Sequence, residues 1–150
     1  MKLRAMRPRF VEFIPKDLDD GVLYISERYK VAVHKCASGC GEKVVTPLSP
    51  ADWQVRRKDD LVSLYPSIGN WNFACRSHYW IHENRIVWAA SMSGAEVARV
   101  QARDRADKAR YIDRVNAARQ AQADALESSK IPHVASRSWW RRLLDIFAGR

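Results

Sequence analysis

The sequence has few cysteines and no long apolar run, and each shortage excludes a class of protein. Only 3 of its 150 residues are cysteine, and an odd number does not suit a disulfide framework. No stretch approaches the roughly 18 apolar residues of a membrane-spanning helix, and charges interrupt the first residues before an apolar run develops. We therefore expect a cytoplasmic protein whose thiols stay reduced and available to a metal.

Familiar catalytic and nucleotide-binding motifs are also missing. The sequence contains no recognisable Ser-His-Asp arrangement, P-loop or dinucleotide fingerprint. Its length and its hydrophobic content of 47% indicate one ordinary domain with an appendage. The net charge of +9 favours an acidic partner, such as nucleic acid, anionic lipid or an acidic protein face, without choosing among them.

Turn residues divide the first part of the chain into short β-type segments. Strands rich in Val, Ile, Leu, Tyr and Trp are predicted at Phe10–Ile14, Val22–Ser26, Val31–His34, Lys43–Thr46, Trp53–Arg57, Leu61–Tyr65, Tyr79–His82 and Arg85–Ala89. Pro66 is predicted to end the sixth strand, and Glu83-Asn84 to close a hairpin. The fold class predicted is α+β, with a small antiparallel β-rich domain over residues 1–92.

A long helix is predicted to follow this domain. Ser93-Gly94-Ala95-Glu96 has the spacing of a capping box, and neither Gly nor Pro follows before about Ser128. A charged helix is predicted over residues 93–130, and about 35 helical residues would be roughly 50 Å long at 1.5 Å per residue. Its apolar stripe is thin, so the helix either lies on its own domain or pairs with a partner helix.

The last segment, residues 131–150, has the pattern of a short amphipathic helix. Its apolar residues fall on one face beside a basic pair, and with the adjoining tryptophan they are predicted to form a contact surface. The residues of this predicted surface are Trp139, Trp140, Leu143, Leu144 and Phe147. The surface would dock on the home domain, on a partner protein or on a membrane.

Two short clusters of cysteine and histidine predict a zinc site. Cys36 and Cys40 form a C-x3-C pair, and Cys75 and His78 form a C-x2-H pair. Zinc takes thiolate and imidazole ligands tetrahedrally, usually from two such pairs on separate turns. We predict zinc bound by these four residues, with His34 as a substitute ligand.

Glu42 supports a second interpretation of the same site. If Cys36 stayed off the metal, three ligands would leave the fourth position to water, and Glu42 would act as general acid/base. A closed site favours a protein-binding module, whereas an open site favours a zinc-dependent hydrolase. A nucleic-acid-binding zinc protein is a third hypothesis, which rests on net charge and aromatic residues.

Three blocks of sequence resemble a family of small bacterial proteins. The blocks are Val33-His34-x-Cys36-x3-Cys40-Gly41-Glu42 continued by Thr46-Pro47-Leu48-Ser49-Pro50, then Tyr65-Pro66-Ser67-Ile68-Gly69-Asn70-Trp71, then Cys75-Arg76-Ser77-His78-Tyr79-Trp80-Ile81. Over residues 10–90 the chain resembles the predicted metal-binding Cys-Glu-His-His family, whose members are often encoded beside bacterial ubiquitin-like conjugation genes. The resemblance implies an accessory role among the proteins of such a pathway, and a part in antiviral defence. Ser38 departs from the family pattern, because relatives often have another cysteine there.

Overall fold

The structure is a computed structural model that describes residues 1–130. Its elements are β1 (Arg7–Phe10), β2 (Val22–Ser26), β3 (Val31–Lys35), β4 (Lys43–Pro47), β5 (Gln54–Lys58), β6 (Leu61–Gly69), β7 (His78–His82), β8 (Arg85–Trp88) and α1 (Gly94–Lys130). Six of the eight predicted strands match within one residue at each end, and the first and sixth do not. The amphipathic segment predicted around Trp139, Trp140, Leu143, Leu144 and Phe147 lies outside the described residues.

The strands form two four-stranded sheets, ordered β1-β2-β3-β4 and β5-β6-β7-β8. Side chains from both sheets share one core, as Leu23 and Ile25 of the first sheet and Val62 and Ile81 of the second illustrate. Full burial of one such side chain is worth about 1.5–3 kcal/mol, so this shared core holds the sheets together. The β-rich prediction is confirmed, except that β1 and β2 pair in parallel instead of antiparallel.

The first predicted strand is wrong beyond Phe10. Residues 11–21 instead make the crossover that a parallel β1–β2 pair requires. In this crossover Val11, Ile14 and Leu18 pack on a second apolar cluster behind the first sheet, so all five residues of β2 are buried.

The sixth predicted strand is too short. Strand β6 continues through Pro66 to Gly69, and its register with β7 shifts between Leu64 and Ile68. Proline has no N–H for a ladder bond and is tolerated in sheets where the pairing is irregular. This irregularity lets the strand reach the loop that carries Cys75.

The predicted hairpin turn and helix are both confirmed. Glu83 and Asn84 join β7 to β8 with positive φ angles of 47° and 65°, as a tight two-residue turn between antiparallel strands requires. The Ser93 amide donates to Glu96 Oε2 at 2.8 Å, which forms the predicted capping box at the start of α1. Among residues 1–130, no helix combines the length and the apolar composition needed to cross a membrane.

The first turns of α1 belong to the same compact unit as the sheets, Met1–Tyr111. Val97 is buried there, and Lys108 Nζ lies 2.6 Å from Asp52 Oδ1. The rest of the helix, Ile112–Lys130, belongs to the second unit.

Candidate functional sites

Three thiols from two distant loops meet at one edge of the core. Cys36 follows β3, Cys40 lies in the turn after it, and Cys75 lies in the loop between β6 and β7. Their sulfur atoms all lie within 4.8 Å of one another, with Cys36 Sγ 3.9 Å from Cys75 Sγ. The prediction that the two loops converge is confirmed, and the three thiols could hold a metal ion, which is consistent with zinc.

The local backbone brings these thiols together. The Cys36 amide donates to the Glu42 carbonyl oxygen at 2.8 Å, which closes the loop that carries Cys40. Within this loop Gly39 has a φ of 77°, and a Cβ there would lie 2.8 Å from the backbone nitrogen of Met1. Any other residue at position 39 would strain the loop.

Hydroxyl groups around the thiols favour ionisation of one of them. Burial raises the pKa of Cys75, but hydrogen bonds from Ser38 and Ser77 outweigh it, and together with Cys40 they lower this pKa to about 6. A thiolate is the form that binds metals, so Cys75 is ready to act as a ligand at neutral pH. Ser38 Oγ also lies 3.3 Å from Cys36 Sγ, and it stands where relatives were expected to have cysteine.

The other predicted ligands lie outside the three-thiol group. His34 is fully buried and its Nε2 is 2.8 Å from the Tyr79 hydroxyl, while burial lowers its pKa to about 4. His78 pairs with Ser67, as described below. Glu42 is exposed and supports the loop through its backbone carbonyl, so its catalytic role stays a prediction.

A buried polar network lies on the side of the thiols that faces the core. The Asn70 side-chain amide donates to Ser77 Oγ at 2.9 Å, and Ser77 Oγ lies 3.1 Å from Cys36 Sγ. The same amide lies 3.5 Å from the Tyr79 hydroxyl, which connects the thiols to His34. Groups that orient metal ligands commonly form such a network, so it suits a structural metal site.

A serine and a histidine form a second group on the outer face of the sheet β5-β6-β7-β8, opposite to the face that carries the buried network. Ser67 Oγ lies 3.0 Å from His78 Nε2, and both residues are half-buried. Ser67 sits where the β6 register shifts, and such irregularities often redirect a side chain beside an active site. A histidine nitrogen at this distance can take the hydroxyl proton and activate the serine as a nucleophile.

Two tryptophan rings hold the imidazole of His78. The ring centroids of Trp71 and Trp80 lie 4.8 Å and 5.2 Å from that of His78. A Cβ at Gly69 would come within 2.5 Å of the Trp71 indole, so glycine is needed for Trp71 to lie here. Burial lowers the pKa of His78. At neutral pH its ring is therefore unprotonated and able to accept a proton.

The serine–histidine pair is not apparent from the sequence, because a strand that ends at Tyr65, as predicted, leaves Ser67 outside the sheet. Once β6 extends to Gly69, the pairing of Gly69 with His78 brings Ser67 and His78 to neighbouring positions of the sheet. The sequence signal that could have predicted the pair is a serine and a histidine at outward-facing positions of two adjacent strands.

Together these groups define a small two-sheet protein with a potential metal centre and a potential serine nucleophile. Residues 10–89 match the family described as "Bacterial ubiquitination-like system serine protease (BubE)", and because the match covers more than half of the chain, the chain belongs to that family. No curated protein and no solved structure matches the chain.

Family membership gives the chain an accessory role in a bacterial ubiquitination-like system. The association that the sequence resemblance implied is thereby confirmed. The finer assignment to the Cys-Glu-His-His family stays a prediction, as does the role in antiviral defence.

Proposed function

We propose that this protein is a serine protease of a bacterial ubiquitination-like system, with Ser67 as nucleophile and His78 as general base. The distance of 3.0 Å between Ser67 Oγ and His78 Nε2 carries the proposal. The description of the family supports the same reaction class. Its substrate would be a precursor or a conjugate of the system's ubiquitin-like protein.

The pair can cleave an amide bond in two steps. His78 Nε2 takes the hydroxyl proton while Ser67 Oγ attacks the carbonyl carbon, and the imidazolium then gives that proton to the departing amine. A water next attacks the acyl ester with His78 again as base, which releases the acid and restores Ser67. His78 Nδ1 has no hydrogen-bond partner within residues 1–130, so the flanking tryptophans, and not a carboxylate, would orient the ring.

We further propose that Cys36, Cys40 and Cys75 bind zinc. Three thiolates would leave the fourth position to water, and we assign the ion a structural role because Ser67 and His78 supply the nucleophile and the base. Thiolates are preferred zinc ligands, and the two loops that carry them would be held together by the ion. The loop that supplies Cys75 also connects the two strands that bear Ser67 and His78, so zinc would stabilise the catalytic pair without touching it. The zinc hydrolase hypothesis with Glu42 is the alternative that the following experiment separates from this proposal.

A fluorophosphonate probe tests the nucleophile without knowledge of the substrate. Ser67 should become covalently labelled, as located by peptide mass spectrometry, and the Ser67→Ala and His78→Ala variants should lose the label. Cleavage of a ubiquitin-like precursor should fall at least about 10³-fold in Ser67→Ala. Ser63→Ala is the matched control, because Ser63 lies on the same face of β6 but pairs with no histidine. Its Oγ instead accepts a hydrogen bond from the Glu83 backbone amide at 2.9 Å.

Zinc content and the melting temperature of Ser67→Ala should equal those of the unchanged protein. Full cleavage by Ser67→Ala together with loss of cleavage in Glu42→Gln would overturn the proposal in favour of a zinc hydrolase. Cleavage that depends on Cys75 but not on Ser67 in a folded, zinc-loaded protein would overturn it as well.

A further inference from the structure

A groove on the outer face of the second sheet lies next to the Ser67–His78 pair, because its lining includes Trp80, whose ring centroid is 5.2 Å from that of His78. It has a volume of about 270 Å³, and its lining includes Arg56, Tyr65, Trp80 and His82. Tyr65 lies two residues before Ser67 on β6, and Trp80 lies two residues after His78 on β7. The groove therefore begins beside the proposed nucleophile and runs along the strands away from it.

The part of the groove nearest the nucleophile is apolar. Tyr65, Trp80 and Val87 are 56%, 36% and 48% exposed, and Val87 is the register partner of Trp80 on β8. Large apolar side chains gathered on one sheet face and bordered by polar residues are typical of a binding surface. This part suits an apolar side chain of a bound peptide.

The part further from the nucleophile is basic. Arg56 lines this part and pairs in register with Ser63, four residues before Ser67, and Arg85 borders it as the register partner of His82. The Arg56 guanidinium lies 5.4 Å from the centroid of the Tyr65 ring, so its charge lies where the apolar part of the groove meets the basic part. Within residues 1–130 neither arginine has a carboxylate oxygen within 4.0 Å, so both can bind an acidic group.

We infer that the groove binds an extended segment of the substrate protein with an apolar side chain about two residues from the scissile bond and an acidic side chain about four residues from it. A strand advances about 3.3 Å per residue, so an extended peptide keeps step with the row of side chains on β7, where Trp80 and His82 lie two and four residues after His78. The positive charge at the far end complements an acidic residue. This inference rests on the proposed function, because the scissile bond is placed at Ser67.

Peptides that vary only at the fourth residue test the inference. Cleavage-site peptides with Glu, Gln or Lys at that position, on either side of the scissile bond, are compared by kcat and KM. In one of the two series Glu should be preferred to Gln by about threefold to fivefold, the range of one partly exposed ion pair, and the difference should lie in KM. Arg56→Glu should reverse the preference, so that Lys is favoured over Glu.

Arg57→Glu is the matched control. It makes the same change in net charge on the same strand, but Arg57 faces the other side of the sheet, over the Phe10 ring at 5.0 Å. The Glu preference should remain in this variant. Equal effects of Arg56→Glu and Arg57→Glu, or no discrimination between Glu and Lys in either series, would overturn the inference.

Binding to the Ser67→Ala variant separates this inference from the proposed function. An uncleaved peptide should alter the fluorescence of Trp80, and Arg56→Glu should weaken binding of the Glu peptide even if Ser67 proves not to be the nucleophile. If Trp80→Ala instead abolishes a concentration-dependent self-association seen by light scattering and leaves KM unchanged, the groove is a contact between copies of this chain and the inference is wrong.

Discussion

The two faces of strand β7 carry sites of different character. Tyr79 points into the core and reaches His34 and, through Asn70, the thiols. Its neighbour His78 points the other way and meets Ser67. Adjacent residues of a strand face opposite sides of a sheet, so one short strand supplies both sites.

The difference between the two faces lies in burial. Tyr79 and His34 are completely buried, and Cys36 is nearly so, which suits groups that hold the fold together. Ser67 and His78 are half-buried beside an open groove, which suits groups that meet a substrate. We call the face that carries Tyr79 and the thiols the inner face, and the face that carries Ser67 and His78 the outer face. Changes on the inner face should lower stability, whereas changes on the outer face should lower activity.

Removal of the metal should have the largest effect, and it should act on the inner face. A structural zinc contributes apparent folding free energy on the order of 10 kcal/mol in small domains, so a chelator should unfold the β-rich region. Circular dichroism and metal analysis before and after chelation measure this, and added zinc should restore the fold.

Ser67→Ala serves as the control, because a change on the outer face should leave the response to the chelator unchanged. A melting temperature that stays constant after complete loss of metal would show that the thiols are not a structural metal site.

The three-thiol site could be predicted from the sequence to a larger extent than the Ser67–His78 site. Cys36 and Cys40 are close along the chain, and Cys75 follows a turn-rich loop, so ligand spacing alone predicted their meeting. The same spacing predicted His78 as a fourth ligand of the same metal ion. His78 begins β7, however, and pairs with Gly69, so the alternation of the strand turns its side chain towards Ser67.

The outer site escaped prediction because it depends on long-range register. Ser67 and His78 are eleven residues apart and meet only because β6 passes through Pro66 with an irregular register. A local rule that ends strands at proline removes Ser67 from the sheet. The parallel pairing of β1 with β2 was missed for a similar reason, since crossover connections leave no local pattern.

The pH dependence of cleavage sharpens the assignment of His78 to the outer face. Burial lowers the pKa of His78 below its ordinary value of 6.5, so the neutral base is present at neutral pH and is lost as the pH falls through the lowered value. Below that value kcat/KM should fall about tenfold per pH unit.

His82→Gln is the control for this profile, since His82 lies on the same strand and face and does not contact Ser67; its variant should keep the midpoint. A midpoint at or above 6.5 in the unchanged protein would contradict the assignment of His78 as the buried base.

The smallest effect tests the inner network by removal of one oxygen. Tyr79→Phe deletes the hydroxyl that lies 2.8 Å from His34 Nε2, and because His34 Nδ1 already has no partner within residues 1–130, both ring nitrogens would then be buried without a hydrogen bond. An unsatisfied buried polar group costs about 1–3 kcal/mol, so the free energy of unfolding, measured by urea denaturation of zinc-loaded protein, should fall by that amount.

Tyr65→Phe is the control for this variant, because it removes a hydroxyl from an exposed ring and should change stability by less than about 0.5 kcal/mol. In Tyr79→Phe kcat/KM should remain within about twofold, because the deleted oxygen faces away from Ser67 and a partly exposed site tolerates distant changes of this size. A large loss of activity at unchanged stability would mean that the two faces of β7 are coupled, and the division between a structural and a catalytic face would fail.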